Sequence, residues 1–203
     1  YTGFTSDKHL DIRREQNAVV NITGNVTFSG VTQLINFAHF NVTGNLTFTN
    51  SKVYVYDCNV TGEVTSTSSN WTMQETTLSG TVTSTTSDTK VLRSNIGGNL
   101  FHESGGDTNC TVFQSTVGDL IRSKAKRTWI GYNTAKRLEV TGDDALEAEI
   151  VGNDFNRINN ASYDWIIVLF DAANLKANFR NNKVRNCWGS SSLYECDGVQ
   201  VRR

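Results

Sequence analysis

Proline is absent from all 203 residues. A residue that removes a backbone donor is excluded from strands paired on both sides. Its absence suits a chain in which nearly every segment lies between two hydrogen-bonded neighbours. Charge is also sparse: 19 Lys and Arg against 20 Asp and Glu leave a net charge of −1. That balance excludes binding dominated by nucleic-acid phosphates. Long apolar runs are missing; the longest, Trp165 to Phe170, is far short of the ~20 residues that span a bilayer. No membrane insertion is expected. Four cysteines lack zinc spacing, and the histidines, His9, His39 and His102, are scattered. No metal or cofactor is implied. No signal peptide is visible, and the start at Tyr1 without methionine reads as a fragment or processed product.

What the chain has is Thr, Ser, Asn and Gly, interleaved with Val, Ile and aromatics that recur in phase, which disordered segments lack. One phrase returns: apolar, two residues, one turn residue, one residue, apolar. It runs from Phe37-x-x-Phe40-x-Val42 and Val55-x-x-Cys58-x-Val60 to Ile150-x-x-Asn153-x-Phe155 and Phe179-x-x-Asn182-x-Val184. Its central residues are Phe40, Cys58, Thr76, Ser94, Ser115, Asn133, Asn153 and Asn182, spaced by 18, 18, 18, 21, 18, 20 and 29 positions. A fixed period near 20 marks a solenoid.

Between these points the residues alternate. Asn21-Ile22-Thr23-Gly24-Asn25-Val26-Thr27-Phe28 is echoed from Asn41 to Phe48, then from Asn59 and from Thr77. Period two makes these strands, with Val, Ile and Leu inward and Thr or Asn outward. The expected fold is all-β: a single-stranded parallel β-helix of eight or nine coils of 18–21 residues, with a longer last coil. Coils stacked at ~4.8 Å would make a rod of roughly 40 Å. Residues 1–18 read as a polar cap or linker, 19–186 as the solenoid, and 187–203 as a closing loop and strand. No long amphipathic helix is expected, only one helical turn at Asp143–Glu149. The last coil carries Tyr163-Asp164-Trp165, and such insertions often form a binding face.

The spacing, the asparagines at Asn133, Asn153 and Asn182, and the run Phe179-Arg180-Asn181-Asn182-Lys183-Val184 resemble right-handed parallel β-helix proteins. That group includes pectate-lyase-like folds and the tailspikes and tail fibres of bacteriophages. The resemblance covers roughly residues 19–186. It implies a homotrimeric receptor-binding or adhesion protein, on a virion surface or otherwise extracellular, that recognises a surface polysaccharide. A polysaccharide-cleaving enzyme is the second function it implies. In this sequence the asparagine column begins only at Asn133, after Phe40, Cys58 and Thr76. A left-handed helix also suits an 18-residue coil but ranks second, because no six-residue apolar repeat is present.

Several constellations follow from the phase. Eight sequons stand at Asn21, Asn25, Asn41, Asn45, Asn59, Asn70, Asn109 and Asn160. They are glycan sites in a secretory context, or the by-product of an outward Asn-x-Thr face. Thr27/Ser29, Thr47/Thr49, Thr65/Thr67 and Thr83/Thr85 would form a hydroxyl lattice ending at Phe101 and Glu103. The lattice resembles ice-binding solenoids and equally suits an ordinary solvated strand face. Cys58 and Cys110 should face inward three coils apart, ~14 Å, beyond the ~7 Å reach of a disulfide. Cys187 and Cys196 are the pair that could bridge. Arg122, Lys124 and Lys126 share an outward face and are expected to pair with Asp143, Asp144, Glu147 and Glu149 in later coils.

Glycan hydrolysis would need two carboxylates roughly 5–9 Å apart. The candidates are Asp154, Asp164 and Asp171, with Glu139 and Glu195, and nothing in the sequence brings any pair together. Outward aromatics are the better indication of a ligand, because a large amphipathic ring suits the apolar face of a sugar. Trp129 and Tyr54 occupy equivalent outward places, and Trp165, Trp188 and Tyr194 lie in the irregular C-terminal part.

Overall fold

A computed structural model describes residues 10–13, 18–103, 106–141, 147–156, 167–170, 176–185 and 199–202. The chain is an all-β parallel solenoid, and none of the described residues is helical. Each turn contributes one strand to each of three nine-stranded sheets. Sheet I runs from Leu10–Arg13 through Leu34–Ala38, Lys52–Tyr56 and so on to Lys176–Arg180; sheet II from Val20–Thr23 to Lys183–Arg185; sheet III from Val26–Ser29 to Val199–Arg202. Successive strands pair in parallel. About seven of these turns are closed within the described residues, slightly fewer than the eight or nine coils expected. The helical turn expected at Asp143–Glu149 is overturned at its end: Glu147–Val151 is a strand paired on both sides. Its β-branched and apolar residues fit the pleated core better than a helix.

Alternation builds the interior. Phe37, Val55, Met73, Val91, Val112, Ile130 and Ile150 form one inward column in direct register. All seven are buried, as are Val42, Val60, Leu78 and Ile96 of sheet II and Leu46, Val64, Val82 and Leu100 of sheet III. Each such side chain contributes about 1.5–3 kcal/mol of burial. Near the N-terminal end the core is aromatic: Phe37 stacks on Phe40 at 4.5 Å, and Phe48 meets Trp71 at 5.6 Å.

The bends must satisfy backbone groups that no strand pairs. From sheet I to sheet II, residues such as Asp57, Glu75, Arg93 and Gln114 adopt φ of 46° to 52°. The next residue turns inward, and its side chain accepts the amide of the coil before. Thr76 Oγ1 accepts from Cys58 N (3.3 Å), Ser94 Oγ from Thr76 N (3.2 Å), and Asn133 Oδ1 from Ser115 N (2.8 Å). Asparagine is confined to the second half of this column, yet the hydrogen-bonded ladder extends through hydroxyls back to Cys58. A second ladder, absent from the sequence reading, lies at the bend from sheet III to sheet I. Ser51 Oγ accepts from Val31 N (3.2 Å), Ser69 Oγ from Ser51 N (3.1 Å), and Ser87 Oγ from Ser69 N (3.0 Å).

Mid-rod, the interior turns polar. Ser66, Ser84, His102 and Ser123 occupy one inward column of sheet III, all fully buried. Trp71 Nε1 donates to Ser84 Oγ (3.2 Å), Ser84 shares a proton with Thr89 (2.6 Å), and Ser123 with Thr128 (2.7 Å). His102 Nε2 bonds Ser87 O at 2.7 Å, while its Nδ1 finds no partner among the described residues. Burial lowers the pKa of this imidazole. Cys58 and Cys110 are free and buried, and burial pushes their thiols up to about 11 and about 12.

Candidate ligand-binding face

Sheet I brings the outward aromatics together. Register places Tyr54, Thr72, Lys90, Thr111, Trp129 and Glu149 in one outward column. Tyr54 and Trp129 thus share a column four coil steps apart. Two residues along the strand, Tyr56, Gln74, Leu92, Phe113 and Gly131 form a second outward row. The left-handed bend residues, among them His39, Glu75, Arg93 and Tyr132, border it.

Two ring clusters result. At one end Tyr54 stacks with Tyr56 (6.0 Å, 17° between planes), and His39 meets Tyr56 edge-on at 5.4 Å. At the other, Phe113 lies 5.3 Å from Trp129 and 5.5 Å from Tyr132. Trp129 is 46% exposed and Tyr132 58%. Two glycines seat this second cluster. A Cβ on Gly131 would meet the Phe113 ring at 3.0 Å, and one on Gly152 would meet the Tyr132 ring at 2.7 Å. Without side chains below them the rings lie close against the next coil. Sequence reasoning found Trp129 and Tyr54 and missed Phe113, Tyr132 and Tyr56; the signal was there in the outward phase of Phe113, two residues beyond the outward Thr111.

Polar groups rim both clusters. Arg93 Nη2 and Nε reach Glu75 Oε1 at 2.7 and 3.0 Å. This guanidinium, with the Tyr56 hydroxyl, lowers the Glu75 pKa, and the bond to Glu75 raises that of Tyr56. Beside Trp129, Arg127 Nη1 bonds Asp107 (3.2 Å) and Arg180 Nη2 bonds Glu149 (2.8 Å). A shallow depression of 440 Å³ lies there, lined by Asn109, Thr111, Arg127, Trp129, Glu147 and Glu149. Rings for an apolar face, surrounded by convergent amides, carboxylates and guanidiniums, are the chemistry of a sugar site.

The remaining expectations are placed as follows. Trp165, Trp188, Tyr194, Asp164, Asp171, Glu195, Asn160, Cys187 and Cys196 lie outside the described residues. Asp154 is half-buried on sheet II, a different sheet from Trp129. Glu139 Oε2 is held by Arg122 Nε at 2.9 Å. A general acid needs a raised pKa; Glu75, Glu103 and Asp107 shift downward. For Glu103 burial acts upward but is outweighed by Lys124 and Arg122. Asp143 and Asp144 lie outside the described residues, and among the described ones the basic strip pairs with other carboxylates than Glu147 and Glu149. Arg122 bridges Glu103 (3.2 Å) and Glu139 (2.9 Å), Lys124 pairs with Glu103, and Lys126 with Asp107 (3.2 Å). Glu149 instead meets Arg180, because it stands on sheet I and Arg122 on sheet III.

The hydroxyl lattice is in direct register: Thr27, Thr47, Thr65 and Thr83 in one column, Ser29, Thr49, Thr67 and Thr85 in the next. Phe101 succeeds Thr83. Sequons Asn21, Asn25, Asn41, Asn45, Asn59 and Asn70 are exposed. Several already bond along the rod: Asn41 Nδ2 donates to Asn21 Oδ1 (3.0 Å), Asn25 Oδ1 accepts from Asn45 N (3.0 Å), and Asn45 Oδ1 from Glu63 N (2.9 Å). Asn109 is half-buried and donates to Asp88 (2.9 Å). Among the described residues no cluster of three or more His, Cys, Asp or Glu is arranged to hold a metal ion. Compared with protein-family models, curated proteins and solved structures, the chain matches none of them.

Proposed function

We propose that this solenoid is a glycan-binding adhesion module, a receptor-binding part of the tail-fibre or tailspike kind, working at a virion surface or otherwise outside the cell. Homotrimeric assembly belongs to the same reading. The observation that carries it is the exposed ring cluster of Phe113, Trp129 and Tyr132, seated over Gly131 and Gly152 and rimmed by polar groups. Large exposed rings on a sheet are otherwise a liability for aggregation. A rigid platform suits a ligand that offers a flat apolar face and many hydroxyls, because little entropy is lost on binding. The test is glycan-array screening of the chain, followed by titration of the retained glycan. Trp129→Ala should weaken binding roughly tenfold or more without altering the far-UV spectrum. Unchanged affinity in that variant would sink the assignment of this face.

A second reading rests on the lattice of Thr columns, whose members stand in register over four coils. Regular hydroxyl spacing favours an ordered water layer and hence ice binding. Thermal hysteresis lost in Thr65→Tyr supports it; freezing behaviour like that of an ordinary protein excludes it.

A further inference from the structure

The two ring clusters are joined by a continuous band. Four coil steps separate Tyr54 from Trp129, or ~19 Å at the spacing of paired strands. Between the clusters, Gln74 and Leu92 continue the row from Tyr56 to Phe113, and Thr72, Lys90 and Thr111 continue the row from Tyr54 to Trp129. A short sugar could touch only one cluster, and a long one can lie along both.

Several charges on this band are matched. Arg93 is held by Glu75, Arg127 by Asp107, Arg180 by Glu149, and His39 Nδ1 lies 2.8 Å from Asp57. Lys90 differs. It is exposed, flanked in its column by Thr72 and Thr111, and makes no ion pair among the described residues. An ammonium without an ion pair therefore stands midway between the two ring clusters, with the Thr72 and Thr111 hydroxyls beside it in the column and Asp88 two residues before it on its strand; Lys52, two residues before Tyr54, is a second one at the end of the band.

We infer that the ligand is an acidic oligosaccharide lying parallel to the rod axis, with sugar rings on both aromatic clusters and a carboxylate or sulfate against Lys90. This rests on the glycan-binding reading above. It adds a direction, a minimum length and a charge. Linking the two contacts makes the second intramolecular, so affinity rises steeply once the chain spans both.

The full chain is tested on neutral, sialylated, uronate and sulfated oligosaccharides, each as disaccharide and octasaccharide. An anionic octasaccharide should bind roughly a hundredfold tighter than its disaccharide. Tyr54→Thr and Lys90→Thr both copy Thr72, the residue between them in the column, so both should fold. Tyr54→Thr should abolish the length dependence, and Lys90→Thr the preference for anionic over neutral chains. Equal binding of disaccharide and octasaccharide overturns the axial mode. Neutral octasaccharides bound as tightly as anionic ones, with Lys90→Thr silent, overturn the acidic ligand. Either result leaves the glycan-binding reading standing, whereas retention of no glycan at all overturns both.

Discussion

Asn153 Oδ1 accepts two bonds from Asn133, one from its backbone N (2.9 Å) and one from its side-chain Nδ2 (3.0 Å). Asn153 Nδ2 in turn donates to Ile130 O (2.9 Å) and to Asn182 Oδ1 (2.8 Å). One buried amide therefore ties three coils together, and each bond replaces one that water cannot supply in the interior.

Asn153→Ala should lower stability by about 3 kcal/mol, since it leaves buried donors and a carbonyl unmatched. Asn153→Ser should lose less, because Ser94 and Ser115 do the same task with a hydroxyl in earlier coils. Urea midpoints measure both. Equal losses for the two variants would show that packing, and not the ladder, is what matters there.

Gly118 lies at the bend from sheet II to sheet III, against the backbone of the coil before. A Cβ there would sit 1.9 Å from the Gly97 carbonyl oxygen. Gly118→Ala must push two coils apart, and it should reduce stability by about 1–3 kcal/mol, read as a fall in Tm. A Tm equal to that of the parent would mean that the coils are looser than their backbone contacts imply.

His102 makes stability depend on pH. Its folded pKa is lowered by burial, against a weaker upward pull from the Ser87 carbonyl, Asp88 and Glu103. The buried groups around it, Ser84, Thr89, Cys110 and Ser123, carry no charge near neutrality. The unfolded chain then binds more protons below its ordinary value near 6.5. Stability is full above that pH and falls as pH drops through it towards the folded value. His102→Gln should flatten denaturation midpoints between about pH 7 and 5. The carboxylates Glu75, Glu103 and Asp107, all lowered, lose their contribution only below their ordinary values near 4. A parent protein equally stable at pH 7 and 5 would contradict the assignment to His102.

Gly131 controls the ring cluster without touching a ligand. Gly131→Ala drives a methyl into the Phe113 ring and against Trp129 Nε1 (3.0 and 3.4 Å). Glycan affinity should fall several-fold and Trp129 emission should shift, while the strand itself gains slightly, since Ala is favoured over Gly there. Unaltered emission and affinity together would show that the cluster does not depend on its seat.

The architecture was legible because the solenoid writes itself into the sequence. Each coil repeats one neighbour contact, so period 18–21 and alternation of two suffice to assign inward and outward faces. The placement of Tyr54 and Trp129 in one column followed from that phase alone. The helical turn near Glu147 did not survive, because local propensity yields to pairing on both sides. The serine ladder at Ser51, Ser69 and Ser87 went unseen, since serine reads as bend filler until its oxygen is found facing an amide. Arg122 also meets carboxylates other than those expected, because contact depends on which sheet each charge stands on and not on coil order alone.

By itself, then, the sequence determined the repeat, the coil length and the inward or outward phase of the alternating residues, because those depend only on local alternation and period. Tertiary structure decided what stands next to what. It set Phe113 beside both Trp129 and Tyr132 over glycines of the next coil, paired Arg93, Arg127 and Arg180 with carboxylates from neighbouring coils, and left Lys90 without an ion pair among the described residues. Those contacts join residues some 18 to 31 positions apart. Their geometry depends on stacking register and side-chain reach, which no local pattern encodes.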